Sequence, residues 1–538
     1  MNRATQEASS GLLMSGSDYR ESLRSYRPLV YVNGRQIESV ADAPELQPGI
    51  NALAVTYDFA LDAAKAPLMT ARQAQRASAV NRMLHINESA GDLLNKLEAV
   101  RLLCQETGCA QRYLAHDALN AIHQVSARID DARGSSEHRA RFAEYLTQVQ
   151  DQDLALGIAM TDAKGDRSKR PHQQSNPDSY LHIVERNGKG IVISGAKAIV
   201  TGAAYMHEFL VMPCRNMRAE DADFAVCCAV PVDAEGVTIV SRPAGRPGEK
   251  PEHGQPLFSR RYGQATAVVL FERVFVPWER VFYAGDWEHS GVLTYNYATH
   301  HRHSCIAARA GFGDLLIGAG ALMCEANGFP DPGAQSNLRE AMVELITITE
   351  SFFACGVAAS VYGKADEASG SFMPDPVFAN IGKLLLATKI YDMQRLAHEV
   401  SGGLIVALPG LDEDHNPATA ARLAEVLRAN PDVPYEKRIE AARFMEDLTA
   451  SYQAGWYSVI SLHGGGSPAA MKQEIWRNYP VGDKVALVER LLDRGLVDDP
   501  ARPITRNRQP GRCCDSGCTQ PGRAVMVPLP AGNGRGRG

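Results

Sequence analysis

No strand-like segment of this chain leads into a G-x-G-x-x-G turn, and no G-x-x-x-x-G-K-[ST] stretch occurs anywhere in its 538 residues. A Rossmann dinucleotide domain and a P-loop are therefore not expected. No run of 18 apolar residues is present, since Asp, Arg or Lys interrupts the most apolar stretches every few positions. No membrane span is expected on that ground. The first residues, Met1–Gly16, have no basic start ahead of an apolar core, so no secretory signal is read. A net charge of −6 over this length leaves no footprint for nucleic acid or an anionic membrane. The 11 cysteines lie mostly in apolar segments and read as reduced core residues of a cytoplasmic protein, Cys214, Cys227, Cys228, Cys324 and Cys355 among them. Cys513, Cys514 and Cys518 have no second ligand cluster to complete a metal site.

What is present is an ordinary globular composition, 45% hydrophobic and 22% charged, long enough for about three domains. Residues 1–16 read as disordered and 17–153 as an N-terminal helical domain that includes a hairpin turning at Asn33-Gly34. Apolar residues at helical spacing run through Leu93–Leu103 and Leu114–Ile129. Residues 154–285 alternate as strands separated by Gly, Pro, Asp and Asn, with the polar segment Arg242–Gly263 as a candidate flap. Residues 286–495 return to long helices, read at Tyr297–Cys324, Leu338–Tyr362, Pro376–Val400 and Tyr435–Leu462. Their apolar faces suit a helical bundle and an oligomer interface. The tail, 496–538, is rich in Arg, Gly and Pro and reads as disordered. The fold class is α+β, with helical, β and helical parts in that order.

Three features suggest chemistry. The loop Thr161–Arg167 offers Lys164 and Arg167 as donors to phosphate or carboxylate, and Gly165 permits close backbone approach. The glycine turns Ser401–Leu404 and His463–Pro468 expose backbone amides that suit a phosphate or a flavin edge, or simply end helices. Cys109 and Tyr113, with Arg112 beside them, are read as sharing a helical face, and His301 and Cys305 have the same spacing. Cys109, His301 and Cys305 suit metal or cluster ligation. Tyr113 with His301 suits holding a phenol or carbonyl oxygen and moving a proton, and a His bonded within the core is the plain alternative.

The motifs MTDAKGDR (160–167), GAKAIVTGAAYMHE (195–208), VFVP (274–277), SGGL (401–404) and HGGGSP (463–468) together resemble one flavin superfamily. It holds 4-hydroxyphenylacetate 3-monooxygenase and 4-hydroxybutyryl-CoA dehydratase (vinylacetyl-CoA isomerase), and the likeness runs from about Ser17 to Asp493. The resemblance implies an acyl-CoA-dehydrogenase-like fold, FAD as cofactor and a homotetramer or dimer. It implies that Met160, Thr161, Lys164 and Arg167 line the flavin cleft, with Thr201 near the ring and Gly402, Gly403, Gly464 and Gly465 approaching from the bundle.

The dehydratase branch carries a [4Fe–4S] cluster on three Cys and one His. Cys109 and His301 match two of these ligands, whereas Tyr113 and Ala308 stand at the other two positions, with Cys305 one turn away. That branch's acid/base glutamates fall at Thr266 and Ile460. The cluster is therefore not expected, and Cys109, His301 and Cys305 are the ligands if an altered one exists. The monooxygenase branch takes FADH₂ from a partner flavin reductase. Its substrate-holding Arg, Tyr and His are unmatched, falling at Leu114, Ala118 and Ile158, so Arg112, Tyr113, His116 and His301 are the nearest replacements. The first expectation is a two-component monooxygenase acting on a small phenol. In it Tyr113 and His301 polarise the substrate oxygen, Arg112 pairs with an acidic group and Thr201 bonds the flavin. The second is a CoA-ester dehydratase or isomerase.

Overall fold

The structure is a computed structural model and describes residues 13–74, 76–245, 258–331 and 336–493. The expected disorder of residues 1–16 falls mostly outside these residues. So do the tail 496–538 and most of the candidate flap. The chain forms two compact units, 1–479 and 480–538, and the described part of the second is the helix Val481–Asp493.

The first unit opens with α1 (Gly16–Leu23), started by a capping box between Ser15 and Asp18. Then follow β1 (Leu29–Val32) and β2 (Arg35–Ile37), joined by the expected turn, in which Asn33 and Gly34 have φ of 50° and 77°. This hairpin does not stay with the helices around it. β1 pairs in parallel with β8 (Val237–Ser241), Leu29 opposite Thr238, and so joins the sheet of the middle region.

That sheet has six strands in the order β2-β1-β8-β9-β5-β4, where β4 is His182–Asn187, β5 Gly190–Thr201 and β9 Thr266–Pro277. Residues 266–277 form the single strand β9. Its register shifts between Phe271 and Val274, where Arg273 has φ 53°. A second sheet runs β10-β7-β6-β3, with β3 at Leu156–Ala159, β6 at Glu208–Val211, β7 at Val226–Pro231 and β10 at Val281–Ala284. The apolar core of the six-stranded sheet is closed by Tyr19 of α1 and by Leu53 and Tyr57 of α2 (Gln47–Leu61).

The helices that carry the site are α3 (Ala90–Thr107), α4 (Tyr113–Arg133), α6 (Trp287–Ala326), α7 (Ser336–Val361), α8 (Pro376–Ser401), α9 (Tyr435–Thr449) and α10 (Tyr452–His463), with α5 (Glu137–Asp151) packed on α4. One long helix was expected at 435–462. It is two helices, because Ser451 caps a new helix by accepting from Ala454 N, 3.0 Å. By length and apolar composition alone, two helices are sufficient to cross a membrane, contrary to the expectation from unbroken apolar runs. In the longer, α6, 67% of the most apolar window is buried inside the protein, which is how a core helix earns the same composition.

Candidate functional site

The site is assembled from side chains four apart on facing helices, a spacing that puts them on one stripe. On α6 the stripe is Tyr297, His301, Cys305 and Arg309, and on α4 it is Tyr113 and Asp117. The His301 ring stacks on two phenols, its centroid 5.9 Å from that of Tyr113 and 5.3 Å from that of Tyr297, nearly parallel to both. Its Nδ1 is 3.2 Å from Asp117 Oδ2, and its Nε2 is 3.5 Å from Cys305 Sγ. The other Asp117 oxygen accepts from Ser304 Oγ at 2.7 Å and faces Lys96 Nζ at 3.5 Å. A carboxylate, an imidazole and a thiol thus stand in line, all buried.

Electrostatics sharpen this line. Burial alone would raise the Asp117 pKa, but Lys96, the neighbouring His116 and the hydrogen bond from His301 outweigh it and hold the carboxyl far below its usual range. Burial disfavours a charged His301, yet Cys305 and Asp117 lift it to about 9. The buried Cys305 thiol is brought down to about 7 by His301, Lys383 and Arg309, despite the penalty of burial. Burial lowers the buried Lys383 of α8 to about 7. At neutral pH the pair has the character of an imidazolium beside a thiolate, the state an acid–base or nucleophilic site needs.

Next to the line, Lys383 Nζ donates to Ser461 O at 2.7 Å and Arg309 Nε to Ser461 Oγ at 2.6 Å. Arg302 Nε donates to Gly465 O at 2.9 Å. A Cβ at Gly465, whose φ is 77°, would lie 3.2 Å from His301 Cδ2, so this turn of the HGGGSP motif abuts the histidine directly.

The residues read from the sequence divide accordingly. Tyr113, His301 and Cys305 come together. Cys109 is not on a helix with Tyr113: Gly108, with φ 66°, ends α3, and Cys109 lies in the link to α4 with its thiol donating to Gly263 O at 3.4 Å. The expected common ligand set of Cys109, His301 and Cys305 is corrected with it. Among the described residues no group of three or more His, Cys, Asp or Glu is placed to hold a metal ion. Among the described residues Cys109, His301 and Cys305 are not gathered as the ligand set a [4Fe–4S] cluster needs. Arg112 is fully buried; its Nη2 hydrogen-bonds Asp153 and the carbonyls of Asp153 and Leu154, the guanidinium lies 4.1 Å over the Tyr57 ring, and Nε and Nη1 have no hydrogen-bond partner among the described residues. His116 bonds Asn87 Oδ1 at 3.0 Å, its other nitrogen 3.7 Å from Asp117 Oδ1.

Met160 and Thr161 follow β3 and are half-buried. Their segment is tied to β5, since Ala198 N donates to Thr161 O at 2.8 Å and the buried Lys197 Nζ to Met160 O at 2.9 Å. Thr201, at the end of β5, therefore lies on the strand that holds them. Lys164 and Gly165 have φ of 74° and 47°, a consecutive left-handed pair, and Arg167 is exposed. These residues fit a flavin in kind: half-buried Met and Thr for a ring, and positive charge in an open loop for phosphates. Gly402 and Gly403 do not reach His301. Gly402 ends α8 beside Asn327, and nothing lies within 4 Å of a Cβ built at Gly403. Gly464 turns against its own helix, 2.7 Å from Ile460 O.

Asp117, Ser304, Lys96, Arg309 and Lys383 were not singled out from the sequence. Only the four-residue spacings Tyr113–Asp117 and Cys305–Arg309 could have pointed to any of them.

Residues 15–283 match the model for the 4-hydroxyphenylacetate 3-hydroxylase N terminal region, and 290–493 that for the C terminal region. The chain is 34% identical over 491 residues to 4-hydroxybutyryl-CoA dehydratase/vinylacetyl-CoA-Δ-isomerase of Clostridium aminobutyricum, covering 89% of this chain and 99% of that protein. It is 24% identical to the 4-hydroxyphenylacetate 3-monooxygenase oxygenase component of Thermus thermophilus, covering 89% and 94%. Among solved structures it is similar to an oxygen-tolerant archaeal 4-hydroxybutyryl-CoA dehydratase from N. maritimus, with TM-score 0.84, 35% identity and 91% and 97% of the two chains covered. The fold is shared with the oxygenase component of 4-hydroxyphenylacetate 3-monooxygenase complexed with FAD, at TM-score 0.78, 23% identity and 90% and 99% coverage.

Proposed function

The chain belongs to the 4-hydroxyphenylacetate 3-hydroxylase family, and from that premise we propose a flavoenzyme that works without an iron–sulfur cluster. Its reaction is that of the oxygenase component of a two-component monooxygenase, which takes FADH₂ from a partner reductase and hydroxylates a small phenol. The observation that carries this reading is His301, stacked on Tyr113 and Tyr297 and aligned between Asp117 and Cys305. Hydroxylation next to a phenolic oxygen needs the phenol as phenolate. In this reading the Cys305 thiolate takes the phenolic proton and becomes a thiol. The His301 imidazolium donates a hydrogen bond to the new phenolate, and Asp117 keeps the imidazole oriented and charged.

Met160, Thr161, Lys164, Arg167 and Thr201 would hold FAD, with Gly464 and Gly465 closing on it from the bundle. Reduced flavin, when bound, delivers the electrons that activate oxygen. Gly402 and Gly403 would approach the cofactor from the end of α8, and Arg112 pins the fold through Asp153. A homotetramer or dimer is kept in the proposal. It is supported by the exposed apolar Val343, Ile346 and Val361 of α7 and Tyr391 of α8. The test is oxygen uptake and catechol formation from a panel of phenols with reduced FAD and a generic flavin reductase. No uptake above that of free FADH₂ across the panel overturns it.

A second reading has its own support. Identity is higher to the dehydratase/isomerase than to the monooxygenase, and moving a C=C bond along a CoA ester needs proton transfer rather than a cluster. The same Cys305–His301 pair would remove a proton from one carbon and return it at another. Conversion of vinylacetyl-CoA without oxygen, with solvent deuterium incorporated, separates this reading from the first.

A further inference from the structure

Three cations converge on the end of α10 and the glycine turn after it. Lys383, Arg302 and Arg309 are 1%, 5% and 6% exposed. Their hydrogen bonds all go to neutral acceptors. Lys383 Nζ reaches Ser461 O, Arg309 reaches Ser461 Oγ and, at 2.9 Å, Tyr457 Oη, and Arg302 reaches Gly465 O and, at 2.7 Å, Asn380 Oδ1. A methyl group at Gly465 would be 3.5 Å from Arg302 Cγ and 3.7 Å from Lys383 Cε, so the two stems meet at the turn that abuts His301.

Among the described residues no Asp or Glu forms an ion pair with any of the three. The nearby negative groups are already engaged. Asp117 serves Lys96 and His301, the single charge of the Cys305 thiolate is shared by His301, Lys383 and Arg309, and Glu474 pairs with Arg477 at 2.9 Å. Burying a cation is strongly unfavourable unless a counter-charge meets it. Three buried together without a carboxylate are explained if the missing negative charge arrives with a ligand.

We propose that Lys383, Arg302 and Arg309 form a buried oxyanion-binding site beside His301, one that takes the anionic oxygen of a bound phenolate, carboxylate or enolate. The Lys383 ammonium uses one of its three N–H donors on Ser461 O and offers the others. The oxyanion belongs either to the substrate or to the reduced flavin ring. The site goes beyond the proposed reaction, because both readings need an anion held here and binding needs no turnover.

The probe is 4-nitrophenol, whose phenolate form absorbs in the visible. Added to the flavin-free protein below the pH at which free 4-nitrophenol ionises, it is expected to bind as phenolate and develop the yellow band. Lys383→Met and Arg309→Met weaken this binding at least about tenfold, as loss of one partner of a buried charge pair does, and Lys383→Arg retains it. If anaerobically reduced FAD displaces the nitrophenolate, and the two Met variants bind reduced FAD more weakly by the same factor, the flavin ring is the source of the anion. If the two bind together, it is the substrate. Nitrophenol bound only in its neutral form, or bound equally well by the Met variants, overturns the proposal. Should those variants not fold, the wild-type protein decides alone. Benzoate must raise its melting temperature by mass action, and no rise overturns the site. Neither readout involves hydroxylation, so failure here is distinct from failure of the monooxygenase reading.

Discussion

Asp117 Oδ2 approaches His301 Nδ1 to 3.2 Å, while Cys305 Sγ lies 3.5 Å from Nε2 on the far side of the same ring. One imidazole is thus read by a carboxylate on one helix and a thiol on its own. This relationship decides the charge of the ring and so most of what the site can do.

Asp117→Asn removes the group that orients and charges His301. Turnover is expected to fall by about 10²-fold or more, the usual contribution of a positioned acid or base. The variant also loses about 3–5 kcal/mol of stability, because Lys96 is left buried without its partner. Urea unfolding and steady-state kinetics measure the two losses separately. Normal turnover in a folded Asp117→Asn protein contradicts the assignment.

Cys305→Ser keeps the size of the side chain and removes the acidic thiol. In the wild type, thiolate absorbance near the ultraviolet edge should appear as pH rises through about 7. In the variant that step is absent, and the rise in rate over the same interval disappears with it. A thiol that titrates only in the range of an ordinary cysteine would remove Cys305 from the mechanism.

Stability should fall on mild acidification. Burial holds His116 down at about 4 and His207 at about 3, and holds His300 and His303 well below the ordinary value. A histidine whose folded pKa is depressed binds more protons when unfolded. Its contribution is therefore complete above about 6.5 and is lost as pH falls toward the folded value, by ~1.4 kcal/mol per unit for each group. His301 has the opposite sign. Raised to about 9, it stabilises fully below about 6.5 and loses that contribution as pH rises through 9. Cys305, lowered to about 7, gains stability as pH rises over the same interval and offsets that loss, so denaturant midpoints should fall from neutrality toward pH 4, and a flat acid limb contradicts the buried neutral histidines.

Arg112→Met tests a reassignment. The guanidinium is bonded to Asp153 and covered by Tyr57, so the substitution strands a buried carboxylate and costs about 3–5 kcal/mol. The expected signature is a lower melting temperature with KM unchanged in the protein that remains folded. A large rise in KM at normal stability would restore Arg112 to the substrate.

Gly465→Ala places a methyl group 3.2 Å from His301 Cδ2, at a φ of 77° that costs a non-glycine residue about 1–2 kcal/mol. Loss of activity should exceed what the modest destabilisation explains. Crystals or NMR of the His301 ring should show it displaced.

The change from helical to strand periodicity and back was legible, and so were the helices at 336–361 and 376–401, but α6 begins at Trp287 rather than Tyr297 and the stretch 435–462 is broken by the cap at Ser451. The motifs that carried the family resemblance were legible too. The partners of His301 were not, because nothing local says that Asp117 on α4 faces α6, or that Lys383 on α8 ends beside Cys305. Those are packing facts. Cys109 was misplaced although its signal was present: Thr107-Gly108 ends a helix with a left-handed residue, and so breaks the spacing that seemed to join Cys109 to Tyr113. Arg112 misled for a related reason. A charged residue next to a candidate site invites a substrate, and only burial against Asp153 shows that its partner is internal.

The parallel pairing of β1 with β8 has a consequence for how the chain comes off the ribosome. Leu29 must wait for Thr238, about two hundred residues later in synthesis, before its strand has a neighbour other than β2. A two-stranded hairpin alone is marginal in water, so the strands of residues 29–37 remain unsettled until the middle sheet emerges. They then close its edge, covering the backbone groups of β8 that another chain would otherwise pair with.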